Sequence, residues 1–232
     1  SAAVLCEEPY TDEAIAKDRI AKALPAHCVP IHKLYESQMR VTVDTASHLL
    51  NQGMGFFNHC GHGWYDALSL ARAATLHHED IDGLTNATRQ GIGYSIGCWT
   101  TAFDFDAIAE HLLRNPHGGA VAFIGHSSYG WGSPGNPGFG YSDRFDARFF
   151  KELFSHPTPR IGEILAHTKL FFVPYSFEPN VYRWHQYCLN LLGDPAMLVP
   201  TDTLASLLVR KPSFLTPGRN LLWLTVQDNA GP

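Results

Sequence analysis

Short apolar runs alternate with longer amphipathic ones along most of the chain. Ala3–Cys6, Val29–Tyr35, Gly55–Asn58, Ile92–Ile96, Ala120–Ile124 and Ala196–Val199 are brief and rich in β-formers, and each is flanked by Gly, Pro or polar residues. That pattern predicts strands. Thr11–Leu24 predicts a helix with Thr11 as N-cap and Pro25 just past its end. Thr45–Gln52 predicts a second, closed by Gly53, and Asp104–Arg114 a third, opened by Asp104 and followed by Pro116. Asp143–Phe154, Ile161–Phe172 and Asn180–Leu192 complete the predicted helices. Strands alternating with helices predict an α/β domain whose mostly parallel sheet is covered by helices on both faces.

Two segments break this rhythm. Gly125–Tyr141 is rich in Gly, Ser, Pro and aromatics and reads as a structured surface loop after a strand. The tail carries two apolar runs, Leu204–Val209 and Leu221–Val226, separated by Pro212, Pro217 and Gly218. They read as strands of a different, β-type module. The chain thus divides into an α/β domain over 1–200 and the start of a β module over 201–232.

Composition narrows the function classes. With 232 residues, 45% hydrophobic and 12% aromatic, the chain can fill one sizeable core. The net charge is -5 with acids and bases interspersed, so no basic stripe is present to bind nucleic acid. No apolar run approaches the roughly 20 residues that cross a bilayer. The opening Ser1–Cys6 lacks the basic flank and apolar stretch of a signal peptide, so none is expected in this segment. The five cysteines, Cys6, Cys28, Cys60, Cys98 and Cys188, are widely spaced and form no CxxC pair. This argues against a disulfide framework or zinc ribbon, and an odd count leaves at least one thiol for chemistry or for another chain.

Two constellations could carry chemistry. In Phe56–Gly63 an apolar strand runs into the turn Gly61-His62-Gly63. The carboxyl ends of parallel strands are where ligands bind, and flanking glycines let a substrate approach the backbone. In Ile92–Thr101 a second apolar strand ends at Gly97, followed by Cys98 and then by a helix predicted to start near Asp104. Such a layout exposes a thiol at the sheet edge, and a helix N-terminus nearby stabilises thiolate. One helix-length connection joins the two strands, so a right-handed crossover brings both motifs to the same edge. A thiolate there is a nucleophile, and an imidazole is suited to activate it and protonate a leaving amine.

The order of His before Cys on neighbouring strand ends resembles the caspase-like cysteine peptidases, and the details resemble the gingipain family. Asn51–Gly63 is similar to the family's segment leading into its catalytic Gly-His-Gly, and Ser95–Cys98 to its nucleophile segment. Gly118–Ile124 with Trp131–Pro134 is similar to the following strand and substrate-pocket loop, and Leu189–Pro195 to the closing motif. The landmarks run in the family's order from Asn51 to Val199. The resemblance implies a caspase-like three-layer sandwich and peptide-bond hydrolysis through an acyl-enzyme. Cys98 would be the nucleophile and His62 its base, with Gly63 and Cys98 N–H groups holding the oxyanion. An acid beside the His is also implied. Glu7 and Glu8 follow the first strand, and since neighbours on a strand point to opposite faces, at most one reaches His62. Trp131 corresponds to the indole lining the pocket for the residue before the scissile bond. Pro134 stands where a lysine-selective acid is expected, while Asp143 and Asp146 read as a helix start. The implied partner is a protein or peptide substrate, in a secreted or cell-surface setting, with an immunoglobulin-like module after Pro200. No cofactor is implied for catalysis. A structural calcium ion is compatible, although no loop has the acidic spacing of an EF-hand.

Two other classes compete. A metal hydrolase would use His59, Cys60 and His62, with His77, His78 and His126 as further candidate ligands, but no Glu stands beside them as in His-Glu-x-x-His. A non-catalytic binding module would keep the fold without the activity.

Overall fold

The computed structural model of this chain describes residues 1–6, 13–26, 28, 30–133, 135–201, 208–210, 218–219, 221 and 224–227. In chain order it forms β1 (Ala2–Cys6), α1 (Glu13–Ala23), β2 (Ile31–Tyr35), α2 (Val43–Asn51) and β3 (Phe56–Cys60). A small antiparallel sheet follows, β4 (Gly63–Trp64), β5 (Ala67–Ala71) and β6 (Ala74–His77), leading into the short α3 (His78–Asp82). Then come β7 (Gly91–Ser95), α4 (Ile108–Arg114), β8 (Ala120–His126), α5 (Tyr141–Ser155), α6 (Ile161–Phe172), α7 (Val181–Cys188) and β9 (Leu189–Gly193). Two further strands, β10 (Leu208–Arg210) and β11 (Thr225–Gln227), pair antiparallel with each other. The chain divides into a unit over Ser1–Val199 and a second over Pro200–Pro232.

The main sheet has six strands in the order β2-β1-β3-β7-β8-β9. All neighbours are parallel except β8 and β9. Because both faces are covered, alternate residues of each strand feed different cores. Ala2, Val4, Phe56 and Ile124 pack with Phe145, Phe149 and Ile164 on the side of α1, α5 and α6. Ala3, Leu5, Phe57 and Phe123 pack with Leu49, Leu68 and Ile108 on the side of α2, α4 and the small sheet. The result is the three-layer α/β sandwich. Gly93 sits mid-strand for a steric reason: a Cβ there would come within 2.5 Å of both the Phe57 and Phe123 rings. Those rings pack at 6.0 Å across it.

One buried polar group ties this architecture together. Lys17 of α1 is fully buried and bonds Asn58 of β3 at 2.5 Å and the carboxylate of Asp146 on α5. Asn58 in turn donates to Asp146 at 2.9 Å. Burial works against the ammonium, but Asp146, with smaller help from Cys60 and Asp143, holds Lys17 above its usual range.

Several predicted boundaries move. The third helix begins at Ile108 rather than Asp104, because the Glu110 carboxylate accepts from Ala107 N–H at 3.1 Å and caps it there. The second starts at Val43, capped by Thr42. Leu189–Leu192, expected as the end of a helix, is strand β9, held by antiparallel pairing with β8. Ala196–Val199, expected as a strand, makes only an isolated bridge between Leu198 and Arg160. The link between β3 and β7 is the three-stranded sheet plus α3, not one helix. Among the described residues no helix is long and apolar enough to cross a membrane.

Candidate active site

Strands β3 and β7 are adjacent and parallel, with His59 level with Ser95. Their carboxyl ends therefore emerge together, and the two candidate turns follow at once. Residue contacts fix how close these turns come. A Cβ on Gly63 would lie 2.7 Å from the Cys98 carbonyl oxygen and 3.2 Å from its nitrogen. A Cβ on Gly97 would lie 3.1 Å from the Gly63 nitrogen. The backbone after His62 is thus in contact with the backbone at Cys98, and a side chain at Gly63 would force the two turns to shift.

The Cys98 turn is tethered on alternate amides. Gly97 N–H donates to Ser95 Oγ at 3.0 Å, Trp99 N–H to Ser128 O at 2.8 Å and Thr101 N–H to His126 O at 3.1 Å. Trp99 sits at φ 60°, a left-handed conformation that costs a bulky residue of order 1–3 kcal/mol and is held only by such tethers. Cys98 is part-exposed, and its Sγ donates to Gly130 O at 3.6 Å. Burial pushes the Cys98 thiol above its ordinary value. The expected thiolate-stabilising helix does not start at this turn, since α4 opens only at Ile108. Cys188 is buried and donates to the preceding carbonyl, Tyr129 O, at 3.8 Å; burial pushes its thiol up to about 12.

On the histidine side, His62 is exposed and Gly63 is half-buried. Gly63 pairs with Leu68 in the β4–β5 hairpin, while Ser69 N–H donates to His62 O at 2.9 Å. Alternate antiparallel pairs exchange bonds, so Gly63 falls at a position whose N–H the ladder does not use. His59 has a different task. Its Nε2 lies 2.7 Å from Ser69 O, which can only accept, so Nε2 carries the proton. Its Nδ1 then accepts from Ser95 Oγ at 2.9 Å, and Ser95 Oγ accepts from Gly97 N–H. Burial holds His59 neutral, with its pKa down to about 4. Both nitrogens are committed, so His59 has none left to share a metal with His62. Among the described residues, His78 gathers with Asp106 and His111, and His156 with Glu163 and His167; His59 and His62 join neither group.

The remaining predicted site residues fall in three places. Trp131 is about half exposed (47%) on the loop after β8, so it is not core packing, and its N–H donates to Ser142 Oγ. Asp146 is buried on α5 and bonded to Lys17 and Asn58, while Asp143, buried one turn earlier on the same helix, has an Oδ1 without a hydrogen-bond partner. Glu7, Glu8 and Pro134 lie outside the described residues. Sequence reasoning missed Ser95 and the positioning part of His59. Their one legible signal was strand parity, which sets His59 opposite in face to Asn58.

By fold, the chain is similar to the Arg-specific cysteine proteinase gingipain R, with a TM-score of 0.74 and 18% identity over 97% of this chain and 53% of that one. It is similar to the complex of Porphyromonas gingivalis RgpB pro- and mature domains at 0.71 and 17%, covering 97% and 54%. The Saccharomyces cerevisiae separase–securin complex gives 0.52 and 12%, covering 83% and 11%. At these identities the likeness concerns the fold, and the chain spans about half the length of the gingipain chains it matches. Comparison with curated proteins gives no match. The profile of peptidase family C25 matches residues 2–200, nearly all of the first unit. The chain therefore belongs to peptidase family C25, the gingipain family.

Proposed function

We propose that this chain is a cysteine endopeptidase in which Cys98 attacks the scissile carbonyl and His62 manages the proton. The observation that carries the reading is the contact between the two turns, with Gly63 packed on the backbone of Cys98. Burial keeps the resting Cys98 thiol protonated, so the reaction needs a base at the moment of attack. His62 takes the thiol proton as sulfur bonds to carbon, then delivers it to the leaving amine as the C–N bond breaks. Water hydrolyses the acyl-enzyme by the reverse proton route. The Gly63 and Cys98 N–H groups hold the oxyanion, each worth about 2.7–4 kcal/mol in the transition state. One of Glu7 and Glu8 orients His62; support comes from the register of β1, whose Cys6 pairs with Cys60, two residues before His62.

The substrate is a peptide or protein, and no cofactor takes part in the chemistry. Membership of a family known largely for secreted and surface peptidases supports action outside the cell, with the segment after Pro200 leading into an appended β module. The test is labelling with thiol-reactive peptidyl probes, mapped by mass spectrometry, on wild type, Cys98→Ala and His62→Ala. Rapid modification confined to Cys98 and dependent on His62 is expected. Equal reactivity at Cys98 and Cys28 would remove the peptidase reading.

A further inference from the structure

The segment between Cys98 and α4 ends at a second cluster of titratable groups, which the proposed peptidase chemistry does not use. His78 opens α3, His111 lies on α4 and Asp106 stands two residues before that helix. His111 is buried, His78 half-buried and Asp106 exposed. The two imidazoles stack at 4.5 Å with 28° between their planes. One donor atom from each of the three residues lies within 4.8 Å of the others.

Neighbouring groups decide which nitrogen of each neutral ring carries the lone pair. The Asp82 carboxylate lies 2.8 Å from His111 Nδ1 and accepts from it, so that nitrogen holds the proton. Arg114 lies 2.7 Å from His111 Nε2, and a guanidinium can only donate. Nε2 therefore presents a lone pair, with Asp106 Oδ2 3.1 Å away. Two acceptors this close repel unless a cation joins them. The exposed Arg114 fills that place, bonding Asp106 Oδ1 at 2.7 Å as well. His78 repeats the arrangement: its Nε2 lies 3.1 Å from the Glu79 carboxylate, which leaves Nδ1 as the lone-pair nitrogen. That Nδ1 is buried and has no hydrogen-bond partner among the described residues. A carboxylate behind each imidazole is how metal-ligating histidines are oriented.

We propose that His78, His111 and Asp106 bind a divalent transition-metal ion, zinc by preference, with Glu79 and Asp82 orienting the two imidazoles. Two imidazoles and one carboxylate suit zinc, and three protein ligands leave a position for water. Calcium takes about six to eight oxygen donors and fits this set poorly. Arg114 swings out to solvent as the ion enters, because the ion replaces its charge. The ion ties α3 to α4 and to the segment that follows the candidate nucleophile. Phe105, beside Asp106, stacks on Tyr65 at 4.7 Å and meets the Trp99 ring at 6.2 Å. Zinc here fastens the stretch from Trp99 to Ala107, and its binding is independent of whether Cys98 is a nucleophile.

The experiment titrates Zn2+ into chelator-stripped Cys98→Ala protein by calorimetry, so that the Cys98 thiol takes no part. The same background carries His78→Gln, Asp106→Asn or Arg114→Ala, each at a residue that reaches solvent. Circular dichroism checks the fold of each variant. The Cys98→Ala protein should bind zinc, with Ca2+ unable to compete, and its Tm should rise. His78→Gln and Asp106→Asn should each weaken one equivalent at least tenfold and lose the Tm rise. Arg114→Ala should bind that equivalent more tightly. Zinc held instead by His156, Glu163 and His167 would survive both ligand substitutions. Uptake and Tm rise unchanged in both, no zinc uptake at all, or displacement of zinc by Ca2+ would overturn the site.

Discussion

The residue after the candidate base touches the candidate nucleophile: a Cβ on Gly63 would stand 2.7 Å from the Cys98 carbonyl oxygen. Real Cβ atoms do not approach backbone this closely, so Gly63→Ala must push the two strand ends apart. A displacement near 1 Å in such a site costs about a hundredfold in rate. Gly63→Ala is expected to lose at least that in kcat/KM, with the far-ultraviolet circular dichroism spectrum kept. Wild-type activity in this variant would mean the contact does not position the two groups.

Ser95 links His59 to the nucleophile turn by bonding His59 Nδ1 and Gly97 N–H. Ser95→Ala leaves both groups buried without that partner, at a cost of about 1–3 kcal/mol for each. Alkylation of Cys98 should become slower and less dependent on His62, beyond what the fall in Tm predicts. Ser95→Thr, which keeps the hydroxyl, should recover part of the rate. An unchanged Cys98 alkylation rate in Ser95→Ala would show that the link is only structural.

Stability should fall on acidification. His59 is held at about 4 by burial against an ordinary value of 6.5, and His185 likewise. Above pH 6.5 each is neutral in both states and costs nothing. Between pH 6.5 and 4 the unfolded chain gains the proton and the folded chain does not, so about 3 kcal/mol is lost for His59 alone. Urea unfolding across this window measures it, and His59→Asn should show a shallower decline than wild type.

The Lys17, Asn58 and Asp146 cluster gives a separate test of the core. Lys17→Met strands the Asp146 carboxylate in a fully buried place, and about 3–5 kcal/mol of destabilisation is expected. Lys17→Met combined with Asp146→Leu should recover much of it, because no lone charge remains. Additive losses in chemical denaturation would contradict the pairing.

The Cys98 thiol sits above its ordinary value, so free enzyme should alkylate slowly at neutral pH. The rate with iodoacetamide should rise with pH to a midpoint above the usual thiol range near 8.5. A midpoint well below it would mean that His62 already holds a thiolate at rest.

Much of the fold was legible because a parallel sheet buried on both faces leaves continuous apolar runs, as at Ala2–Cys6 and Ala120–Ile124. Residues 63–77 were not legible as a small sheet. Ala67–Ala71 and Ala74–His77 are rich in Ala and Leu, whose local preference is helical, and only hairpin pairing under the main sheet makes them strands. Leu189–Leu192 was misread for a related reason. A short apolar run satisfies helix or strand equally, and antiparallel pairing with β8 decides for strand.

The residue pattern alone puts His62 and Cys98 at the ends of neighbouring strands of a parallel sheet, since apolar runs, glycines and crossover handedness depend on local chemistry and chain connection. That Gly63 rests against Cys98, that His59 supports the turn through Ser95, and that Trp64, Trp99, Phe105 and Tyr129 share one surface emerges once the chain is folded. These are contacts between residues far apart in the chain. Their energies depend on distance and burial, which no local pattern of side chains encodes.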